Sequence, residues 1–336
     1  MGKMSQIRKT RRKFKPQPLD KKIVLQPRDV KIIRAIYQYR FLTSGQIKRL
    51  IDADGLRVVQ DRLRKLYDHR YIDRPKIQIN GINSPMVYGL GEQGANYLKD
   101  ECDIHLGSVG RWSEKNATVK RFFLDHTIDT AEQILSFQLC CRERSDVRFL
   151  SQEEILEKTP LNSVQKGDPL AMKTTVQWNG FDEPMTVVPD GFFGLLFKSA
   201  PKEKKFAFFF LELDNATMPI VRHKFRQTSI LKKMVGYASI IKHKVHYAKF
   251  GVKACRVLFV TTSWERVANM QACYRNHVSK DLGPGFFLFT TKSELAGADT
   301  LGRNAKFLTA SGRAVFLDPA LVSASQHSAQ IPHTNS

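Results

Sequence analysis

The residues best able to do chemistry are a Pro189-Asp190 pair and the run Glu212-Leu213-Asp214, each attached to a stretch that reads as a strand. Carboxylates brought together at the ends of adjacent strands can hold Mg²⁺ or Mn²⁺, activate a water and offset charge on a phosphate under attack. Side chains alternate along a strand, so Glu212 and Asp214 are expected on one face, both within reach of an ion that Asp190 also binds. The other route, a zinc site, has no support in the spacing of the nine His and five Cys residues, and no zinc is expected. Phosphate-binding, dinucleotide and hydrolase signatures (GxxxxGK[ST], a glycine fingerprint after a strand, GxSxG, HExxH) are missing, which argues against enzymes of those classes.

The elements that must position these acids follow from periodicity. An amphipathic helix is expected from about Thr118 to Arg144, then strands at Val147–Leu150, Met185–Phe197 and Phe206–Leu213, with an exposed turn at Lys198–Lys205. A helix from about Arg222 to Lys244, a strand at Val257–Thr262, a helix at Trp264–Asn276 and a strand at Phe286–Thr290 complete the order α-β-β-β-α-β-α-β.

An earlier set of elements stands apart. Helical spacing starts near Gln26 with Val30, Ile33, Ile36 and Tyr37, Thr43-Ser44 caps a short helix to Ile51, and Leu56–His69 is a third helix with Leu56, Val59, Leu63 and Leu66 on one face. Arg74–Leu90 then alternates around Asn80-Gly81 as a β-hairpin. Three helices and a hairpin make a winged helix-turn-helix. In that fold the third helix enters the major groove, so Arg57, Gln60, Asp61, Arg64 and Lys65 are its candidate DNA contacts, with Arg57 and Gln60 as base readers. Lys76 and Asn83 are assigned to the backbone from the hairpin.

Charge supports an anionic partner. The 336 residues hold 54 Lys plus Arg against 32 Asp plus Glu, a net +22, and double-stranded DNA is the expected partner. Residues 215–264 contain ten Lys or Arg and no acid, and Arg222, Arg226, Lys232 and Lys233 are expected to line a phosphate backbone beside the acids. No apolar run approaches membrane-spanning length, so no membrane partner is expected, and five cysteines without a CxxC pair fit a reducing cytoplasm. The domain reading is a disordered basic arm at 1–22, a winged helix at 23–102, a linker at 103–117, an α/β domain at 118–317 and a disordered tail at 318–336.

With Pro189-Asp190 and Glu212-Leu213-Asp214 at their strand ends, the second domain resembles the PD-(D/E)xK nucleases. The resemblance implies a restriction-endonuclease-like α/β fold with a mixed central sheet and a catalytic set of Asp190, Glu212 and Asp214. It also implies a third acid from the first helix, Glu132 in preference to Asp129, and a lysine. The pattern departs at Asp214, where that lysine belongs; Lys224 in the following helix is the nearest replacement. The whole layout, through Leu124-Asp125-His126-Thr127, Pro189-Asp190-Gly191, Phe210 to Thr217 and Arg256 to Thr262, resembles the bacterial replication-relaxation family over about residues 25–290. That likeness implies DNA processing in a plasmid or mobile element, in replication, relaxation or defence. Two readings stay open: a Mg²⁺- or Mn²⁺-dependent DNA nuclease or nickase, and a non-catalytic initiator, accessory factor or transcription regulator. A homodimer partner or other replication or defence proteins remain open as partners.

Overall fold

The computed structural model describes residues 13–17, 23–78, 84–102, 104, 112–159, 168–297, 299–302 and 305–322. Most of the basic arm, the hairpin tip with Ile79, Asn80-Gly81 and Asn83, and the tail from 323 lie outside them. The chain divides into two compact units, Met1–Ile128 and Asp129–Ser336, whereas a boundary at 103–117 was expected.

In the first unit, α1 (Pro27–Tyr39) begins with proline at a position that needs no N–H donor, and Gln26 and Asp29 cap it reciprocally. It buries Ile32, Ile33 and Ile36. A short strand the periodicity did not show, β1 (Phe41–Thr43), leads straight into α2 (Ser44–Leu50), where Thr43 accepts from the Gln46 N–H and Gln46 reaches back to the Thr43 N–H. After Gly55 comes α3 (Leu56–Asp68), whose Val59, Leu63 and Leu66 are buried. Strands β2 (Ile72–Asp73) and β3 (Val87–Leu90) complete an antiparallel sheet in the order β1-β3-β2. The first hairpin strand is therefore Ile72–Asp73 and not the alternating stretch around Ile77, which is 37% exposed and unpaired in any ladder.

Helix α4 (Glu92–Cys102) follows, and the stretch read as a linker holds α5 (Trp112–Ala117). Asn116 of α5 ties itself to the sheet, donating to Leu90 O at 2.7 Å and Asp73 Oδ2 at 3.0 Å while accepting from Arg40 at 2.8 Å. Helix α6 (Arg121–Arg142) spans the division between the units.

The second unit is built on a seven-stranded mixed sheet. Its strands are β4 (Val147–Leu150), β7 (Gly191–Phe197), β8 (Phe206–Leu213), β9 (Cys255–Thr261), β10 (Phe287–Thr291), β11 (Phe307–Thr309) and β12 (Ala314–Val315). In space they run β4-β7-β8-β9-β10-β11-β12, with β8, β9 and β10 parallel and the remaining pairs antiparallel. The parallel crossovers are made by α8 (Ile230–Lys242) with α9 (Val245–Phe250), and by α10 (Trp264–His277). Crossovers of one hand running in one direction cover one face. Accordingly α8 and α10 pack with Phe192, Phe210, Val257 and Phe259, while Phe137 and Cys140 of α6 pack with Phe193, Phe209 and Leu211 on the other face. Strands covered on both sides carry the near-continuous apolar runs seen in β7 and β8.

Two expectations fail here. The run Met185–Phe197 is not one strand: it breaks at Val188-Pro189-Asp190, and its first part belongs to β6 (Phe181–Val187), which pairs only with β5 (Met172–Trp178) in a separate hairpin. That hairpin turns at Asn179 and Gly180, both at positive φ (50° and 83°), the geometry an Asn-Gly pair favours. It lies on α8 closely enough that a Cβ on Gly236 would stand 2.6 Å from Met185 Cε. The helix expected from Arg222 starts only at Ile230, where the Ser229 hydroxyl accepts from Lys232 N; residues 219–229 form turns and irregular backbone. Among the described residues the remaining α-helices are α7 (Gln152–Glu157) and α11 (Lys292–Leu295).

Candidate functional site

The carboxylates meet at the end of the sheet where the parallel strands finish, the edge at which open α/β sheets usually place ligands. Because β7 runs antiparallel to β8, its first residues lie beside the last residues of β8. Asp190 is fixed there by two bonds to β8: its N–H donates to Leu211 O at 3.0 Å, and its Oδ2 accepts the Leu213 N–H at 2.8 Å.

Glu212 points toward α8 and is 1% exposed. Lys233 and Tyr237, one turn apart on α8, each take one of its oxygens: the Lys233 ammonium bonds Oε2 and the Tyr237 hydroxyl donates to Oε1. Lys233 Nζ also stands 3.8 Å from Asp190 Oδ2. Burial pushes the Glu212 carboxyl up to about 7; the Lys233 charge opposes that shift and Asp190 adds to it. Burial pulls the Lys233 ammonium down, but the charges of Glu212 and Asp190 outweigh it and hold the group above its ordinary value. Burial beside Glu212 raises the Tyr237 phenol well above its usual range.

Asp214 lies just past the end of β8 and does not join this group. Its N–H bonds Val260 O at 2.8 Å, and its carboxylate accepts Thr261 Oγ1 at 2.7 Å, Arg266 Nε at 2.8 Å and Arg266 Nη2 at 3.1 Å. Arg266 also donates to Met218 O, so the pair closes the 215–218 loop onto the first turn of α10. Glu212 and Asp214 therefore attach to different helices, each with its own internal cation.

This arrangement does not fit a Mg²⁺ or Mn²⁺ ion held by Asp190, Glu212 and Asp214, because both oxygens of Glu212 and of Asp214 already accept strong donors. Among the described residues no group of three or more His, Cys, Asp or Glu is placed to hold a metal ion.

Of the other residues singled out by sequence, Lys224 sits exposed in the irregular stretch before α8, and the lysine that meets the acids is Lys233. Glu132 is half-buried on α6. Asp129 of the same helix is the acid linked to the strand ends, through Asn215 Nδ2 at 3.2 Å and Lys292 Nζ at 2.7 Å. Lys233, expected on a phosphate, is turned inward, whereas Arg222 and Arg226 are exposed and Lys232 is half-buried. Sequence reasoning assigned Lys233 to a phosphate backbone and not to the acids, and it missed Tyr237, Thr261 and Arg266 as site residues. A signal was available in Lys233-x-x-x-Tyr237, a helical i, i+4 pair on the crossover directly after Glu212.

In the first unit α3 turns Arg57, Gln60, Asp61, Arg64 and Lys65 outward, with Arg64 3.5 Å from Asp61. Its remaining arginine, Arg62, is spent internally on the fully buried Asp29 and on Val24 O. Lys76 is exposed beyond β2. Arg74 lies over the Tyr67 and Tyr88 rings, 4.3 and 5.4 Å from their centroids, and so braces the start of the hairpin.

Comparison with known proteins gives one assignment. No curated protein and no solved structure matches the chain. The sequence profile of the replication-relaxation family matches residues 33–253, about two thirds of the chain and both units. On that match the chain belongs to the replication-relaxation family.

Proposed function

We propose that this chain is a DNA-binding protein of a plasmid or other mobile element, whose first unit is a winged helix that docks α3 in the major groove of duplex DNA. The family assignment supports a role in plasmid or mobile-element replication or relaxation. The observation that carries the DNA reading is α3 itself: one face is locked into the core by Val59, Leu63 and Leu66, and the opposite face offers Arg57, Gln60, Arg64 and Lys65 to solvent. Arg and Gln on a rigid helix can bond base edges, and Lys can hold phosphates. The test is duplex binding by full-length protein, with footprinting on plasmid DNA. Arg57→Ala/Gln60→Ala is expected to cost at least about tenfold in affinity for the preferred site. Unchanged affinity and footprint would remove α3 from the interface.

For the second unit the reading is a nuclease-like domain whose acids are neutralised by the protein's own cations, so that it serves as a platform. Metal-dependent cleavage is the second reading, and it would require Glu212 to release Lys233 and Tyr237. The feature in its favour is that Asp190, Glu212 and Lys233 come together at one sheet edge. Nicking of supercoiled plasmid with Mg²⁺ or Mn²⁺, abolished by Asp190→Ala/Glu212→Ala, would establish cleavage. Uncut plasmid with retained binding supports the platform.

A further inference from the structure

We propose that the tip of the β5–β6 hairpin and the segment before α8 form a second nucleic-acid site, one that takes single-stranded DNA by stacking unpaired bases on aromatic rings. Trp178 and Phe181 flank the Asn179-Gly180 turn as a cross-strand pair, and Phe181 is 71% exposed. Phe225 stacks on Trp178 with centroids 4.4 Å apart and planes 14° from parallel, and His277 adds a ring 6.4 Å from Trp178. Three aromatic side chains from two segments thus gather at a hairpin tip that lies outside the main sheet.

Cations border the rings. Phe225 lies between Lys224 and Arg226, Lys232 Nζ is 6.0 Å from the Phe225 centroid, and Arg222, Lys224 and Arg226 are all exposed. The nearby acids are accounted for: Glu183 faces Arg226 and Asp182 accepts from Gln177. Lys232 also donates to Arg226 O at 2.7 Å, which fixes the loop that carries Phe225.

An exposed ring, Phe181, beside the half-buried Trp178 and Phe225 and bordered by Lys and Arg suits single strands: the cations follow the backbone and the open ring face takes any base. A duplex keeps its base faces stacked inside, so it gains only the charge contribution from such a surface. The site is separate from α3, and its binding is independent of whether α3 reads duplex DNA. It also suits a protein of DNA replication, during which strands are opened.

The test uses full-length protein and two labelled probes, an oligothymidine and a mixed-sequence duplex. Phe181→Ala, at an exposed position, is expected to weaken oligothymidine binding by roughly tenfold and duplex binding by less than about twofold, with Phe181→Tyr restoring it. Oligothymidine should quench the protein's fluorescence, and Trp178→Phe should remove most of that quenching. Arg57→Ala/Gln60→Ala should leave oligothymidine affinity in place, so failure at α3 and failure here are read separately. Equal oligothymidine affinity for wild type and Phe181→Ala overturns the proposal. So does a parallel loss on both probes, or a dimer in sizing experiments that Phe181→Ala dissociates, which would make the tip an interface between copies.

Discussion

Glu212 is a buried carboxyl held between one ammonium and one phenol, and its neighbours decide what it can do. Replacing Lys233 by Met leaves burial and Asp190 both working against its charge. Lys233→Met is expected to lower stability by about 3 kcal/mol or more, and Lys233→Met/Glu212→Gln to recover part of that loss, as read by denaturant melts. The acid also sets a pH dependence. Its folded value, about 7, lies above the ordinary 4.5, so the folded state keeps a proton that the unfolded chain has released. The contribution is fully present below about 4.5 and is lost as pH rises through about 7, a change of at most about 3 kcal/mol. Thermal melts of wild type and Glu212→Gln should therefore shift in favour of Gln over that window; a constant difference would show that Glu212 is ionised throughout. The acids themselves were legible in the sequence because Pro-Asp and Glu-Leu-Asp mark strand ends. Their partners were not, because Lys233 lies 21 residues beyond Glu212 and Arg266 lies 52 beyond Asp214, and only the crossovers bring them back.

At the scale of elements, helices with clean apolar spacing were readable, and the places where reading failed have local physical causes. Pro189 cannot donate to a ladder, so the apolar run through it splits into strands of two different sheets. Ser229 competes for the free N–H groups of α8 and starts the helix eight residues after Arg222's expected first turn, despite an unbroken run of helix-compatible residues. Strands of two or three residues, such as β1 and β2, are too short for alternation to reveal them. The clearest missed signal is Trp178-Asn179-Gly180-Phe181, a two-residue hairpin turn in plain view. Close approach gives a direct test of how the first unit is packed. A Cβ on Gly94 of α4 would stand 2.1 Å from Tyr71 O, so Gly94→Ala must shift α4 away from the β2 strand. It is expected to cost about 2 kcal/mol in melts of the full chain, and an unchanged transition would mean that α4 is free to move.

For the molecule as a whole, the net charge of +22 predicts strong salt dependence. If the duplex interface neutralises about four phosphates, affinity should fall by about a hundredfold between about 50 and 200 mM salt. A flat response in a titration at several salt concentrations would show that charge is not what holds the DNA. Among the described residues no helix is long and apolar enough to cross a membrane.

The spatial order of the large sheet, β4-β7-β8-β9-β10-β11-β12, is also its order along the chain. During synthesis, which proceeds from the N-terminus, each strand emerges to find its one required neighbour already made, and none has to wedge between two finished strands. The sheet can lengthen at a single growing margin. Asp190 and Glu212 are in place once β8 is laid down, Lys233 arrives with the crossover that follows, and Arg266 comes only after β9. Each acid is thus made before the cation that neutralises it, so the pairing of Glu212 with Lys233 and of Asp214 with Arg266 waits on chain that is made later.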